Sequence, residues 1–193
     1  LGVPPMHRHG EQRGYHDIVT IIEASDLSAW VKRTAIEAFS NLGMAEAKAH
    51  NTTLEKVHFH EVGAIDCMID IVGTMICLEY LTIETIIFSP LHVGKGRVYC
   101  EHGWMPVPTP ATKQLLENFS VFTTHVEAEL VTPTGATLVK TLSSTLENDA
   151  DNSLEYMQNI MKTCSKIGYG FGSKLLPIPN VLVLGIANTS SFS

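Results

Sequence analysis

Val57-His58-Phe59-His60-Glu61-Val62-Gly63-Ala64-Ile65-Asp66-Cys67-Met68-Ile69-Asp70-Ile71-Val72-Gly73 gathers two histidines and three acids within thirteen residues (58 to 70), then runs on into an apolar segment. Read as an extended strand, 57–60 alternates, so His58 and His60 fall on one face, either side of Phe59. Read as a helix, the next segment sets Asp66 and Asp70 four residues apart on a shared face. The passage between them, through Glu61 and Gly63, brings nitrogen and oxygen donors to one corner. The helix over 64–81 is apolar on almost every side, which predicts a central, buried element. Its exceptions, Asp66, Asp70, Gly73 and Thr74, form a polar stripe, and buried carboxylates need a partner. A metal, a ligand, or backbone amides with an arginine would each serve.

Outward from this stretch the chain alternates helical and extended patterns, which predicts an α/β fold: a mixed sheet with packed helices around one central helix. On the N-terminal side, residues 1–14 are rich in Gly, Pro and His and form a flexible arm. His7, His9 and the following His16 are candidates for auxiliary metal capture. Without fixed geometry such histidines hold divalent ions weakly, and a mobile polar tail explains them as well. Ile18, Ile21 and Ile22 fit a short helical face. Ser25 or Asp26 then caps a longer amphipathic helix carrying Leu27, Val31, Ala35, Ala38, Leu42, Ala45 and Ala49 to about His50.

On the C-terminal side, 85–89 reads as a buried strand ended by Pro90. Gly94-Lys95-Gly96 turns between two extended runs and, with Arg97 beside it, offers an anion site; a plain tight turn explains the same residues. The stretch 102–110 is extended and leads, through Thr109 and Pro110, into a short helix over 111–117. Strands are expected at 121–124, 126–130 and 156–160. Thr132-Pro133-Thr134-Gly135 opens a helix to about 146, where an N-terminal anion pocket and ordinary capping are equally served. Gly168-Tyr169-Gly170-Phe171-Gly172 opens no helix, so it is not a dinucleotide fingerprint. A last strand spans 181–186. One α/β domain over 15–186 and a disordered tail over 187–193 complete this division.

Composition narrows the function classes. A net charge of −7 leaves no basic footprint for nucleic acid. Cys67, Cys77, Cys100 and Cys164 stand apart with no C-x-x-C pair, which suits a reducing, cytoplasmic setting. Residues 1–14 lack the charged start and apolar core of a secretory signal. Within 64–81, Asp66, Asp70 and Glu79 argue against a membrane span. No G-x-S-x-G or Walker-type run supplies a nucleophile or phosphate cradle. Mixed imidazole and carboxylate donors suit nickel, zinc or manganese, with Glu61 placed to orient a ligating imidazole. A salt-bridged His/Asp cluster pinning the helix start accounts for the same residues.

Four ordered blocks carry a resemblance: 57–66 with 68–73; His102-Gly103 with 106–112; Glu129 to Ala136; and 168–172 with Pro179-Asn180-Val181-Leu182. Over roughly 15–186 the chain resembles the LarC family, the nickel-insertion proteins of lactate racemase cofactor synthesis. The resemblance implies insertion of nickel into a pyridinium-3,5-bisthiocarboxylic acid mononucleotide, forming nickel–sulfur and nickel–carbon bonds. It implies CTP with manganese or magnesium, and lactate racemase as recipient of the cofactor. In that light His58, His60, Glu61, Asp66 and Asp70 are candidates for nickel. Gly94, Lys95, Gly96, Arg97, His102, Thr132, Thr134 and Gly135 are candidates for the substrate and its phosphate. The family's glycine-rich start, longer histidine tract and C-terminal domain have no counterpart in this sequence. The expectation is therefore a partial chain that works with a missing domain or a split partner chain, and that self-associates as a homo-oligomer through an exposed sheet edge. A nickel carrier without chemistry and a metal-dependent phosphohydrolase are the alternative functions.

Overall fold

The amphipathic stripe expected between 27 and 49 becomes the longest helix in a computed structural model that describes residues 13–59, 65–100, 103–143 and 154–188. Strand β1 (Arg13–Gly14) leads directly into α1 (Tyr15–Ala24), whose start is held by the Gly14 N–H donating to Asp17 Oδ2 at 2.9 Å. The long helix is α2 (Ala29–Ala49), capped by Ser28, whose Oγ accepts from the Val31 N–H at 3.1 Å. Val31, Ala35, Ala38, Phe39 and Leu42 are all buried along it. Small alanines interleaved with Phe39 and Leu42 let neighbours approach closely, and α2 packs against α1, α3 (Ile65–Tyr80), α4 (Pro110–Leu115) and α5 (Pro133–Leu142).

The helix expected over 64–81 forms as α3, but it is not the central one. Cys67, Ile71 and Met75, spaced four apart, are buried toward the core. Ile65, Ile69, Ile76 and Tyr80 stand exposed, Tyr80 at 86%. Hydropathy counts apolar residues on every side of a helix, whereas here the Cys67 stripe is buried, Met68, Val72 and Leu78 are partly buried against the core, and the rest face outward. The centre of the core is α2.

The strands pair two by two. β1 runs antiparallel to β2 (His58–Phe59), with Gly14 opposite His58. β3 (Leu91–His92) is parallel to β6 (Val121–Phe122). β4 (Arg97–Cys100) and β5 (Gly103–Pro106) form an antiparallel hairpin. β7 (Lys166–Phe171) and β8 (Val181–Ile186) form a second one, six pairs long. Parallel and antiparallel pairs thus coexist with the helices in an α/β fold, although the described strands make four separate pairs, not one sheet.

Three expected strands differ. The 85–89 segment is irregular; Phe88 still packs on the core, and Pro90 removes a ladder donor. In place of a strand over 126–130 there is a single antiparallel bridge between Gly94 and Glu129. The stretch around 156–160 belongs to a helix, α6 (Leu154–Thr163), where Met157, Ile160 and Met161 recur at helical spacing. None of the described side chains between 155 and 188 is buried. No helix among the described residues is long and apolar enough to cross a membrane.

Candidate functional site

The first turns of α3 and α5 meet. Thr134 Oγ1 donates to Cys67 Sγ at 3.4 Å, joining two segments 67 residues apart in sequence. Cys67 lies inside the core, and burial pushes its thiol up to about 11. The Thr134 hydrogen bond opposes that rise, and the negative charge of Asp70 adds to it, so Asp70 lies within electrostatic reach. Asp66 and Asp70 themselves face solvent, and Gly73 looks onto open space. The acidic stripe therefore borders the surface of this chain, where carboxylates are hydrated and need no buried partner.

At the start of α5, Thr132 Oγ1 accepts the Gly135 N–H at 3.2 Å and Pro133 carries no N–H. Capping thus occupies part of the N-terminal anion pocket, and an incoming phosphate would share or displace the Thr132 hydroxyl. In the 94–97 turn, Gly94 and Gly96 adopt φ of 77° and 95°. The Lys95 N–H is donated to the Val126 carbonyl at 3.2 Å, and the Gly96 carbonyl accepts from Val107 N–H at 3.0 Å. Arg97 Nη2 donates to the Trp104 carbonyl at 3.0 Å. The backbone of this turn is therefore engaged in holding β3, β4 and the 126–130 segment together. The exposed Lys95 ammonium and the outer guanidinium edge of Arg97 are what it presents to a ligand.

His58 sits in β2 opposite Gly14, and His16, two residues beyond Gly14, lies exposed in the first turn of α1. His16 thus follows directly on the strand that pairs with the His58 strand. His7, His9, His60, Glu61 and His102 lie outside the described residues. Among the described residues, no three His, Cys, Asp or Glu side chains converge as a metal-holding group.

Sequence reasoning passed over two groups. Cys67 joins the two helix starts, and only its place between Asp66 and Asp70 hinted at that. His92 stacks on Phe122, ring centroids 4.7 Å apart, with Nε2 3.0 Å from Thr124 Oγ1. That contact depends on the parallel β3–β6 pairing, which no local pattern announces.

Against this geometry, the family model described as nickel insertion protein matches residues 3–192. The chain belongs to the nickel insertion protein family. It is 45% identical over 170 residues to the pyridinium-3,5-bisthiocarboxylic acid mononucleotide nickel insertion protein of Clostridium kluyveri, covering 88% of this chain and 40% of that relative. The protein of the same name from Akkermansia muciniphila is 41% identical over 97% of this chain and 43% of its own length. That from Desulfitobacterium hafniense strain DCB-2 is 43% identical over 94% and 41%. The chain spans about two fifths of these nickel insertion proteins. No solved structure matches it.

Proposed function

We propose that this chain contributes the α3–α5 corner of a nickel chelatase that inserts nickel into pyridinium-3,5-bisthiocarboxylic acid mononucleotide. The observation that carries the reading is the Thr134–Cys67 contact, which joins the helix bearing Asp66 and Asp70 to the capped start of α5. Family membership and the names of the relatives supply the substrate.

In this reading nickel is cargo. Asp66 and Asp70, with His58, His60 and Glu61 from the adjoining stretch, offer the hard and borderline donors suited to receiving a hydrated Ni(II) ion. His7, His9 and His16 raise its local concentration. The mononucleotide phosphate lies toward Thr132, Thr134 and Gly135, with Lys95, Arg97 and His102 supplying positive charge and the 94–96 turn, packed against the 126–130 segment, fixing where Lys95 and Arg97 emerge. Forming a nickel–carbon bond at a ring C–H releases a proton, and the Asp66 and Asp70 carboxylates are acceptors on that face. CTP with manganese or magnesium, a cytoplasmic setting, a further domain or split partner chain, assembly as a homo-oligomer, and delivery to lactate racemase complete the proposal.

Titration calorimetry with Ni(II) tests it. Replacing Asp66 and Asp70 by Asn together, or His58 and His60 by Ala together, is expected to weaken binding by about ten-fold or more. Wild-type affinity in both double variants would refute the metal assignment.

A further inference from the structure

We infer that the face of the β7–β8 hairpin turned away from α6 is the seat of another segment of the longer nickel insertion polypeptide. The α6–β7–β8 unit has the outline of a folded layer without a core, since none of its described side chains is buried. A two-stranded hairpin gains little stability by itself, and here α6 touches it only near Gly185, which leaves most of its apolar side chains in water.

The register separates its two faces. Residues directly opposite in an antiparallel pair point the same way. Ile167, Tyr169 and Phe171 therefore share one face with Gly185, Val183 and Val181. Helix α6 closes on that face only at one end, where Met161 and Cys164 press against Gly185; beyond it Tyr169 and Phe171 stay 62% and 78% exposed. The opposite face carries Leu182 and Leu184, 63% and 60% exposed, beside Gly170 and Gly168. A Cβ at Gly168 would meet nothing within 4 Å. The result is a leucine ridge running along a glycine trough. A trough without side chains accepts the ridge of an incoming helix or strand, and the leucines supply the apolar area that binds it.

The occupant is taken from the relatives' length. About three fifths of the Clostridium kluyveri and Desulfitobacterium hafniense proteins lies outside the matched region. Additional chain of that size carries apolar faces of its own to bury. The inference rests on family membership and on the further chain in the proposed function. It uses nothing of the nickel chemistry, so its failure leaves the Asp66/Asp70 reading standing.

Hydrogen exchange followed by mass spectrometry tests it on two intact proteins, this chain and the full-length Clostridium kluyveri relative. The amides of 166–186 are expected to exchange at least ten-fold faster in this chain than at the aligned positions of the relative, at every protein concentration. Equal rates overturn the inference. Protection in the relative that is lost on dilution also overturns it, because the occupant is then a second copy. In this chain, Leu182→Asp with Leu184→Asp should leave helix content and the unfolding midpoint unchanged. A clear loss of either would mean that the face is already covered within the chain, and would overturn the inference too.

Discussion

Replacing Gly94 by Ala separates packing from backbone strain. Gly94 has φ of 77°, and a methyl group there would fall inside the contact distance of the Ala128 carbonyl oxygen and 3.2 Å from Leu130 Cγ. The left-handed backbone costs an L-residue about 1–2 kcal/mol. To admit the methyl, the 126–130 segment must also withdraw. That strains the Lys95-to-Val126 and Leu130-to-Val93 hydrogen bonds (3.2 and 3.4 Å), at about 1 kcal/mol each. Gly94→Ala is therefore expected to destabilise by roughly 3–4 kcal/mol. Gly96 is the internal control: its φ is 95°, but its nearest neighbour is Glu127 Cβ at an ordinary 3.6 Å. Gly96→Ala should cost only the backbone part, about 1–2 kcal/mol. At about 2–4 °C per kcal/mol for a chain of this size, thermal melts by circular dichroism should place the Gly94 variant some 4–8 °C below the Gly96 variant. Equal midpoints would refute the argument that Ala128 fixes this turn.

Other measurements follow from the corner itself. Because the Cys67 thiol is raised from 9.0 to about 11, the folded state keeps a proton that the unfolded state loses. Its contribution to stability is complete below about pH 9 and is lost as pH rises toward 11, on the order of 2–3 kcal/mol in all. Thr134→Val removes the hydrogen bond that lowers the thiol pKa, so the alkaline loss should run on to higher pH in the variant; urea midpoints read from pH 7 to 11 check both. Thr132→Ala removes the cap of α5 and should cost about 1 kcal/mol, seen as a urea midpoint shift with an unchanged slope.

Legibility differed element by element. The α2 stripe could be read directly because its periodicity persists over many residues and agrees with burial, and the 181–186 strand because it is a short, unbroken apolar run. The length of α3 was equally plain, but its place was not. Ile65, Ile69, Ile76 and Tyr80 look like core residues in a sequence, and hydropathy cannot distinguish a face turned to the core from one turned outward. The 156–160 stretch was too short to separate alternation from helical spacing. At the site, Asp66 and Asp70 were visible as a helical pair and Thr132 as a cap. The Thr134–Cys67 contact was not, because contacts so far apart in sequence arise from helix packing, which no local pattern encodes.

Helix α3 is pinned at both ends. Cys67 receives the Thr134 hydroxyl at one end, and at the other the Ser28 hydroxyl donates to Glu79 Oε1 at 2.6 Å while capping α2. Between those points run about three turns, close to 20 Å, clamped along one side by Ile71 and Met75. Such a helix behaves as a beam, not as a string of independent turns. One continuous helix thus ties the capped start of α5 to the capped start of α2.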